Sequence, residues 1–162
     1  MKQYREKHID ELREIGGEYT VLSTNYEDLK KDLKGLADKL KPNLAFECVG
    51  GDMTGIILAS IKENGYLYHY GNLSLRSVSN VQTRDLLFKN KTIKGFWLPA
   101  YLNSLPEDIL SKIMKDLIEI KSNSDLFNTN IIEVFRPKDV EMAIKNYRKE
   151  MGKGKIILDF IS

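Results

Sequence analysis

Apolar positions along the chain switch repeatedly between two spacings, and each switch predicts a change of element. Ile9, Leu12 and Ile15 recur at helical spacing within Lys7–Ile15, closed by Gly16-Gly17. Tyr19–Ser23 is short and rich in β-formers, which predicts a strand. Asn25 can cap a helix over Tyr26–Leu40, with Leu29, Leu33, Leu36 and Leu40 on one face and Glu27–Lys31 as an outer (i, i+4) pair. Leu44–Val49 is an apolar run too short for a helix, bounded by Pro42 and Gly50-Gly51, as expected of a buried parallel strand. Met53–Lys62 returns to helical spacing through Met53, Ile56, Ile57, Leu58 and Ile61, and Asn64-Gly65 is the expected left-handed C-cap. Tyr66–Tyr70 is a second strand, stopped by Gly71-Asn72.

The rest of the chain keeps this rhythm. A polar loop, Asn72–Ser79, leads to a short helix at Thr83–Lys89. Thr92–Leu98 reads as a strand in which Gly95 marks close approach of backbone or ligand. Ser104–Glu107 has the form of a capping box for a helix over Glu107–Lys121, with Ile109, Leu110, Ile113, Leu117 and Ile118 inward. Ile131–Phe135 is a strand, Pro137–Asp139 opens a helix with Val140, Ile144 and Tyr147 inward, and Lys155–Phe160 is the last strand. Strands alternating with helices define an α/β fold, a doubly wound parallel sheet. Ligands in such sheets bind outside the carboxyl ends of the strands, so Cys48–Gly51 and Tyr70–Asn72 point at one site.

Composition narrows the possibilities. A chain of 162 residues is one domain's worth, with 42% hydrophobic and 30% charged residues, as in soluble globular proteins. The net charge of +2 is spread in mixed sign, without the basic stripe of a nucleic-acid binder. No run approaches the ~20 apolar residues of a membrane span. The N-terminal segment carries several acids and reads as a helix rather than a cleaved presequence. The single cysteine, Cys48, excludes an internal disulfide and fits a reducing, intracellular compartment, mitochondrial matrix or cytoplasm. With one cysteine and two distant histidines, His8 and His69, metal-ligand spacing is absent and no zinc is expected; a structural role is expected for both histidines. No catalytic side chain stands out, and no cationic partner near Cys48 would activate its thiol.

The phrases FECVGGDMTG, YHYGNLS and RDLLFKNKTIKGFWL, in that order, resemble the second half of medium-chain dehydrogenase/reductases. Within that superfamily they are most similar to the zinc-free quinone reductase and mitochondrial trans-2-enoyl-thioester reductase branch. The resemblance runs from about Arg5 to the C-terminus, and it implies an NADPH site. Cys48, Val49, Gly50 and Gly51 match the turn that passes the cofactor's ribose by its backbone. Tyr70, Gly71 and Asn72 match the turn beside the nicotinamide. Phe96, Trp97 and Leu98 match the segment whose backbone meets the carboxamide, and Thr92–Leu98 the strand that pairs across a homodimer. Lys155 matches a lysine of the last strand that reaches the cofactor, and Arg5 falls where the 2′-phosphate is held. The resemblance divides the chain into a partial NAD(P)-binding domain, 1–125, and a C-terminal segment, 126–162, that returns to the catalytic domain.

Departures from that pattern shape the functional expectation. No G-x-G-x-x-G follows a strand, and the sequence begins near the end of what would be the family's second strand, so the fold expected is an incomplete Rossmann-like sheet lacking its first strand and phosphate turn. Each buried unpaired backbone group along the exposed edge would cost ~1–3 kcal/mol. A second chain carrying the N-terminal half, strand exchange between two copies, sliding of Tyr19–Ser23 onto Leu44–Val49, or an incomplete sequence would each account for the gap. The chain is then either part of an NADPH-dependent reductase of enoyl thioesters or quinones, inactive by itself, or a non-catalytic structural subunit derived from one.

Overall fold

Tight turns, and a side-chain cap at Asn25, bound the elements of the computed structural model, which describes residues 9–21, 25–124 and 128–161. Helix α1 covers residues 9–14. It is followed by α2 (Tyr26–Leu40), β1 (Leu44–Glu47), α3 (Asp52–Ser60), β2 (Tyr66–His69), α4 (Thr83–Leu87), β3 (Thr92–Gly95) and α5 (Leu98–Ser104). Then come α6 (Glu107–Asn123), β4 (Ile131–Phe135), α7 (Val140–Glu150) and β5 (Lys155–Leu158). The chain forms two compact units, Met1–Ser104 and Leu105–Ser162.

In the first unit β1, β2 and β3 form a parallel sheet in that order, with Leu44 opposite Tyr66 and Tyr66 opposite Thr92. This register puts Ala45, Leu67 and Ile93 on one face, against the core residues Leu58 and Ile61 of the α3 region. The buried part of this core is small, and Leu58 and Leu67 are its fully enclosed centre. Leu44, Phe46, Tyr66, Tyr68 and Tyr70 share the opposite face, where Phe46 is 67% exposed. Phe46 stacks on Tyr68 at 5.8 Å between ring centroids, and Lys94 lies 5.0 Å over the Tyr66 ring.

Several local expectations are corrected. Asn25 does cap α2, its side chain accepting from the Asp28 N–H at 2.8 Å, but Glu27 pairs with Lys30 at 2.8 Å rather than with Lys31. Helix α3 ends at Ser60 with an extended C-cap at Ile61, so Asn64, at φ 59°, belongs to the following turn and not to the helix end. Residues 19–21 are not in a strand, and Leu22 and Ser23 lie outside the described residues. Strand β3 stops at Gly95 because Leu98 begins α5. The capping box at Ser104 is not formed: Ser104 still belongs to α5 and its hydroxyl donates to the Tyr101 carbonyl at 2.7 Å, while Pro106 precedes α6 without a side-chain cap. No residue of α6 is buried, and Ile118 is 63% exposed.

In the second unit β4 and β5 pair in parallel, Ile131 opposite Lys155 and Phe135 opposite Leu158, joined through the 3-10 turn Pro137–Asp139 and α7. On α7 Ala143 is buried, while the expected Val140 and Ile144 are exposed. The last strand ends at Leu158 rather than Phe160.

Candidate functional site

Parallel pairing brings the carboxyl ends of β1, β2 and β3 to one side of the first unit. There the Tyr70 N–H donates to the Glu47 carbonyl and the Phe96 N–H to the His69 carbonyl, both at 2.9 Å. The turns Cys48–Gly51, Tyr70–Asn72 and Phe96–Trp97 are thereby neighbours, as the sequence indicated for the first two. Gly50 and Gly51 have φ of 79° and 58°, a conformation that strains any residue with a Cβ. The loop after β2 closes over this turn. Leu73 and Ser74 donate from their amides to the Cys48 and Val49 carbonyls at 3.0 and 2.8 Å. Further along the same loop, the Ser79 hydroxyl donates to Asp52 at 2.7 Å. A Cβ on Gly71 would stand 3.0 Å from both the Cβ and the carbonyl oxygen of Cys48. These glycines are therefore demanded first by chain-on-chain packing. At Gly95, expected to mark a close approach, no atom lies within 4 Å of where a Cβ would be, so neighbouring backbone imposes no glycine there.

Beneath the turns lies a polar cluster that pattern reading passed over. Glu47, 4% exposed, closes an otherwise apolar strand. Its Oε1 accepts from the Val49 and Gly50 N–H groups, the latter at 2.8 Å. Its Oε2 accepts from the Thr54 hydroxyl at 2.8 Å and meets His69 Nδ1 at 2.7 Å. Burial alone pushes this carboxyl up, but the hydrogen bonds from Gly50, Thr54, His69 and Val49 together outweigh it and hold it below its ordinary value. An ionised Glu47 accepts only, so the proton between it and His69 sits on Nδ1. The signal was present in the sequence as a lone charge inside an apolar run, with His69 at the matching count of the next strand. His69 is thus tied into the turn rather than isolated.

The sign of the pH dependence follows from that lowered carboxyl. A carboxylate depressed on folding adds stability above its unfolded pKa near 4.5 and loses it as pH falls through its lower folded value. We expect the urea midpoint of the native chain to fall below about pH 5, and that of Glu47→Gln to fall less over the same range. A stability gap between the two that did not change with pH would count against an ionised, hydrogen-bonded Glu47.

The remaining site residues distribute as follows. Cys48 is half-buried and free. Its thiol, beside the Tyr70 hydroxyl, is the first cause of an upward push on that phenol. Trp97 and Leu98 are largely exposed at the start of α5, and Phe96 rests on Tyr101 at 5.2 Å between ring centroids. Leu44, Phe46, Tyr68, Tyr70 and Phe96 line an apolar cleft of about 520 Å³. Lys155 belongs to the second unit, where its ammonium donates to the Tyr147 hydroxyl at 3.1 Å. Arg5 and His8 lie outside the described residues. Among the described residues no group of three or more His, Cys, Asp or Glu is placed to hold a metal ion. Glu47 and His69 spend their facing atoms on each other, so the residues described at these turns offer no free ligand set for a zinc ion. They do fit the nicotinamide end of a dinucleotide, where turn backbone and an apolar cleft meet, while no glycine-rich turn for the pyrophosphate occurs in the sequence.

Comparison with known proteins agrees with this architecture. Residues 3–115 match the zinc-binding dehydrogenase family, and the chain belongs to it. The mitochondrial enoyl-[acyl-carrier-protein] reductase of Arabidopsis thaliana is 30% identical over 94 residues, 58% of this chain and 24% of that protein. The same enzyme of Dictyostelium discoideum is 25% identical over 154 residues, 95% of this chain and 43% of that protein. A putative NADPH:quinone reductase from Bacillus thuringiensis superposes with a TM-score of 0.76 at 21% identity, covering 95% of this chain and 46% of that one. An enoyl thioester reductase mutant from Candida tropicalis gives 0.75 at 20% identity, with coverages of 96% and 44%. The chain thus spans less than half the length of these relatives. Its fold is α/β, a portion of a Rossmann-like dinucleotide-binding domain, as the sequence indicated.

Proposed function

We propose that the chain is the nicotinamide-side portion of an NADPH-dependent reductase acting on the activated C=C of an enoyl thioester or on a quinone. The observation that carries this reading is the convergence of Cys48–Gly51, Tyr70–Asn72 and Phe96–Trp97 at the carboxyl ends of three parallel strands, in a chain of the dehydrogenase family. Bound NADPH would supply the hydride. The chain's own part is to present main-chain groups of the three turns to the ring, with Tyr70 and Phe96 keeping water from one side. Arg5 and Lys155 remain candidates for the 2′-phosphate and for a cofactor contact, and 1–125 and 126–162 for the functional division of the chain. A second chain supplying the N-terminal half, and a homo-oligomer through Thr92–Leu98, belong to the same proposal. Its support is that β1 and β3 are the outer strands of their sheet and that the Phe46 face is open. The names of the relatives say mitochondrial, which supports the mitochondrial matrix as the compartment of this chain, with the cytoplasm as the other candidate.

The open aromatic face equally suits a subunit that only assembles, so cofactor binding separates the two readings. NADPH titrated into the assembly isolated from its source should bind saturably below about 1 mM. Gly71→Ala, which pushes the Tyr70–Asn72 turn off Cys48, should weaken it about tenfold, ~1.4 kcal/mol. Absence of binding at millimolar NADPH would remove the reductase reading and leave the structural one.

A further inference from the structure

At the other end of the strands the first unit carries a second feature, independent of the cofactor reading. Lys41, Lys62 and Lys89 each lie in the turn leading into β1, β2 and β3, and all three line one groove of about 540 Å³. Lys30 and Lys34 of α2 and Arg84 of α4 complete its rim, against a single acid, Asp38. Among the described residues only Lys30 of these six cations is in an ion pair, with Glu27. The floor is apolar, made by Leu33 and Ala37 of α2 and by Ile56 and Ala59 of α3.

The C-terminal ends of α2, α3 and α4 favour Lys41, Lys62 and Lys89, but not Lys30 and Lys34, which lie inside α2 away from its end. The α3 carbonyls of Leu58 and Ala59 are already taken by the buried Lys91 ammonium at 2.9 and 3.1 Å. The α2 carbonyl of Ala37 is taken by the Lys41 N–H at 2.8 Å. A ring of cations around an apolar floor matches the acid-rimmed, apolar-striped surface of an amphipathic helix. Single-stranded nucleic acid would need aromatic stacking platforms, and no aromatic residue lines the groove. A small phosphate is held best by the converging N–H groups of a helix N-terminus, and α2 and α3 meet the groove away from theirs.

We propose that this groove is the docking site for an acidic amphipathic helix of a partner protein. The probe is a fluorescent Leu/Glu peptide about 18 residues long, five helical turns, with leucine on one face. It is titrated into the full chain, beside a scrambled peptide of equal composition and an oligothymidylate of similar length. The amphipathic peptide should bind saturably, and its affinity should fall as salt rises from about 50 to 300 mM. Lys34→Glu with Lys62→Glu, both exposed, should weaken it about tenfold with the circular dichroism spectrum unchanged. If that double variant misfolds, Lys34→Gln with Lys62→Gln is read instead, with a loss of about threefold expected. Peptide binding indifferent to the substitutions, or equal binding of the scrambled peptide, would overturn the proposal. Oligothymidylate binding as tightly and with the same sensitivity would also overturn it, in favour of an unselective polyanion surface.

Discussion

Glu47→Ala is expected to destabilise the chain by about 3 kcal/mol, and Glu47→Gln by only about 1 kcal/mol. The wild-type carboxylate serves four donors, Val49 N–H, Gly50 N–H, the Thr54 hydroxyl and His69 Nδ1, from a position 4% exposed. Alanine abandons all four. Val49 and His69 are partly accessible and can turn to water, but Gly50 and Thr54 are buried, and each stranded group costs ~1–3 kcal/mol. Glutamine keeps a carbonyl for the Val49 and Gly50 amides. Its NH₂ then faces His69, which can respond by moving its proton to Nε2 so that Nδ1 accepts. The comparison therefore separates the hydrogen-bonding role of Glu47 from its volume and its charge. Urea unfolding of the three proteins measures it, and equal losses for alanine and glutamine would show that the acceptor geometry is not what stabilises the turn. Because Glu47 orders the backbone of the Cys48–Gly51 turn, proposed above as part of the cofactor site, the alanine variant should also bind NADPH more weakly wherever the native chain binds it.

Local pattern carried the fold further than it carried the boundaries. Short apolar or β-rich runs between turn residues placed all five strands of the described residues, and period-3.6 patterns most helices, although Tyr19–Ser23 was also read as a strand and residues 19–21 are not one. Where an end depends on a remote partner, the reading slipped. Ser104 and Glu107 have the spacing of a capping box, yet α5 persists through Ser104 and its hydroxyl turns back to Tyr101. Asn64 does take positive φ, but one turn after α3 has already stopped. The apolar residues of α6 promised an inward face, and burial needs a surface to face, which sequence periodicity does not supply. For the site, glycine and strand ends located the turns, since both follow from chain direction. Glu47–His69 went unseen because it depends on register across two strands, and register emerges only when both strands are placed.

The buried pair Asp85–Lys91 carries the same lesson into energetics and sets the second large expectation. Lys91 is 1% exposed in its side chain and Asp85 4%, with Nζ 2.9 Å from Oδ1. The other two ammonium protons go to the Leu58 and Ala59 carbonyls, so one lysine ties the end of α3 to α4 and to the entry of β3. Asp85→Ala leaves a buried ammonium without its counter-charge and should cost about 3–5 kcal/mol. Lys91→Met leaves a buried carboxylate and two helix-end carbonyls without donors, and should cost as much. The double variant Asp85→Ala, Lys91→Met strands neither charge, so its loss should be well below the sum of the singles. A coupling of at least ~2 kcal/mol in the double-mutant cycle, read from urea midpoints, is the expected result. Additive losses would mean that the two groups are solvated independently, and that the tie between α3 and α4 rests on other contacts. With so small a core, that outcome would place most of the first unit's stability in contacts beyond the chain, and the open aromatic face of β1 and β2 would be the first surface to test for them.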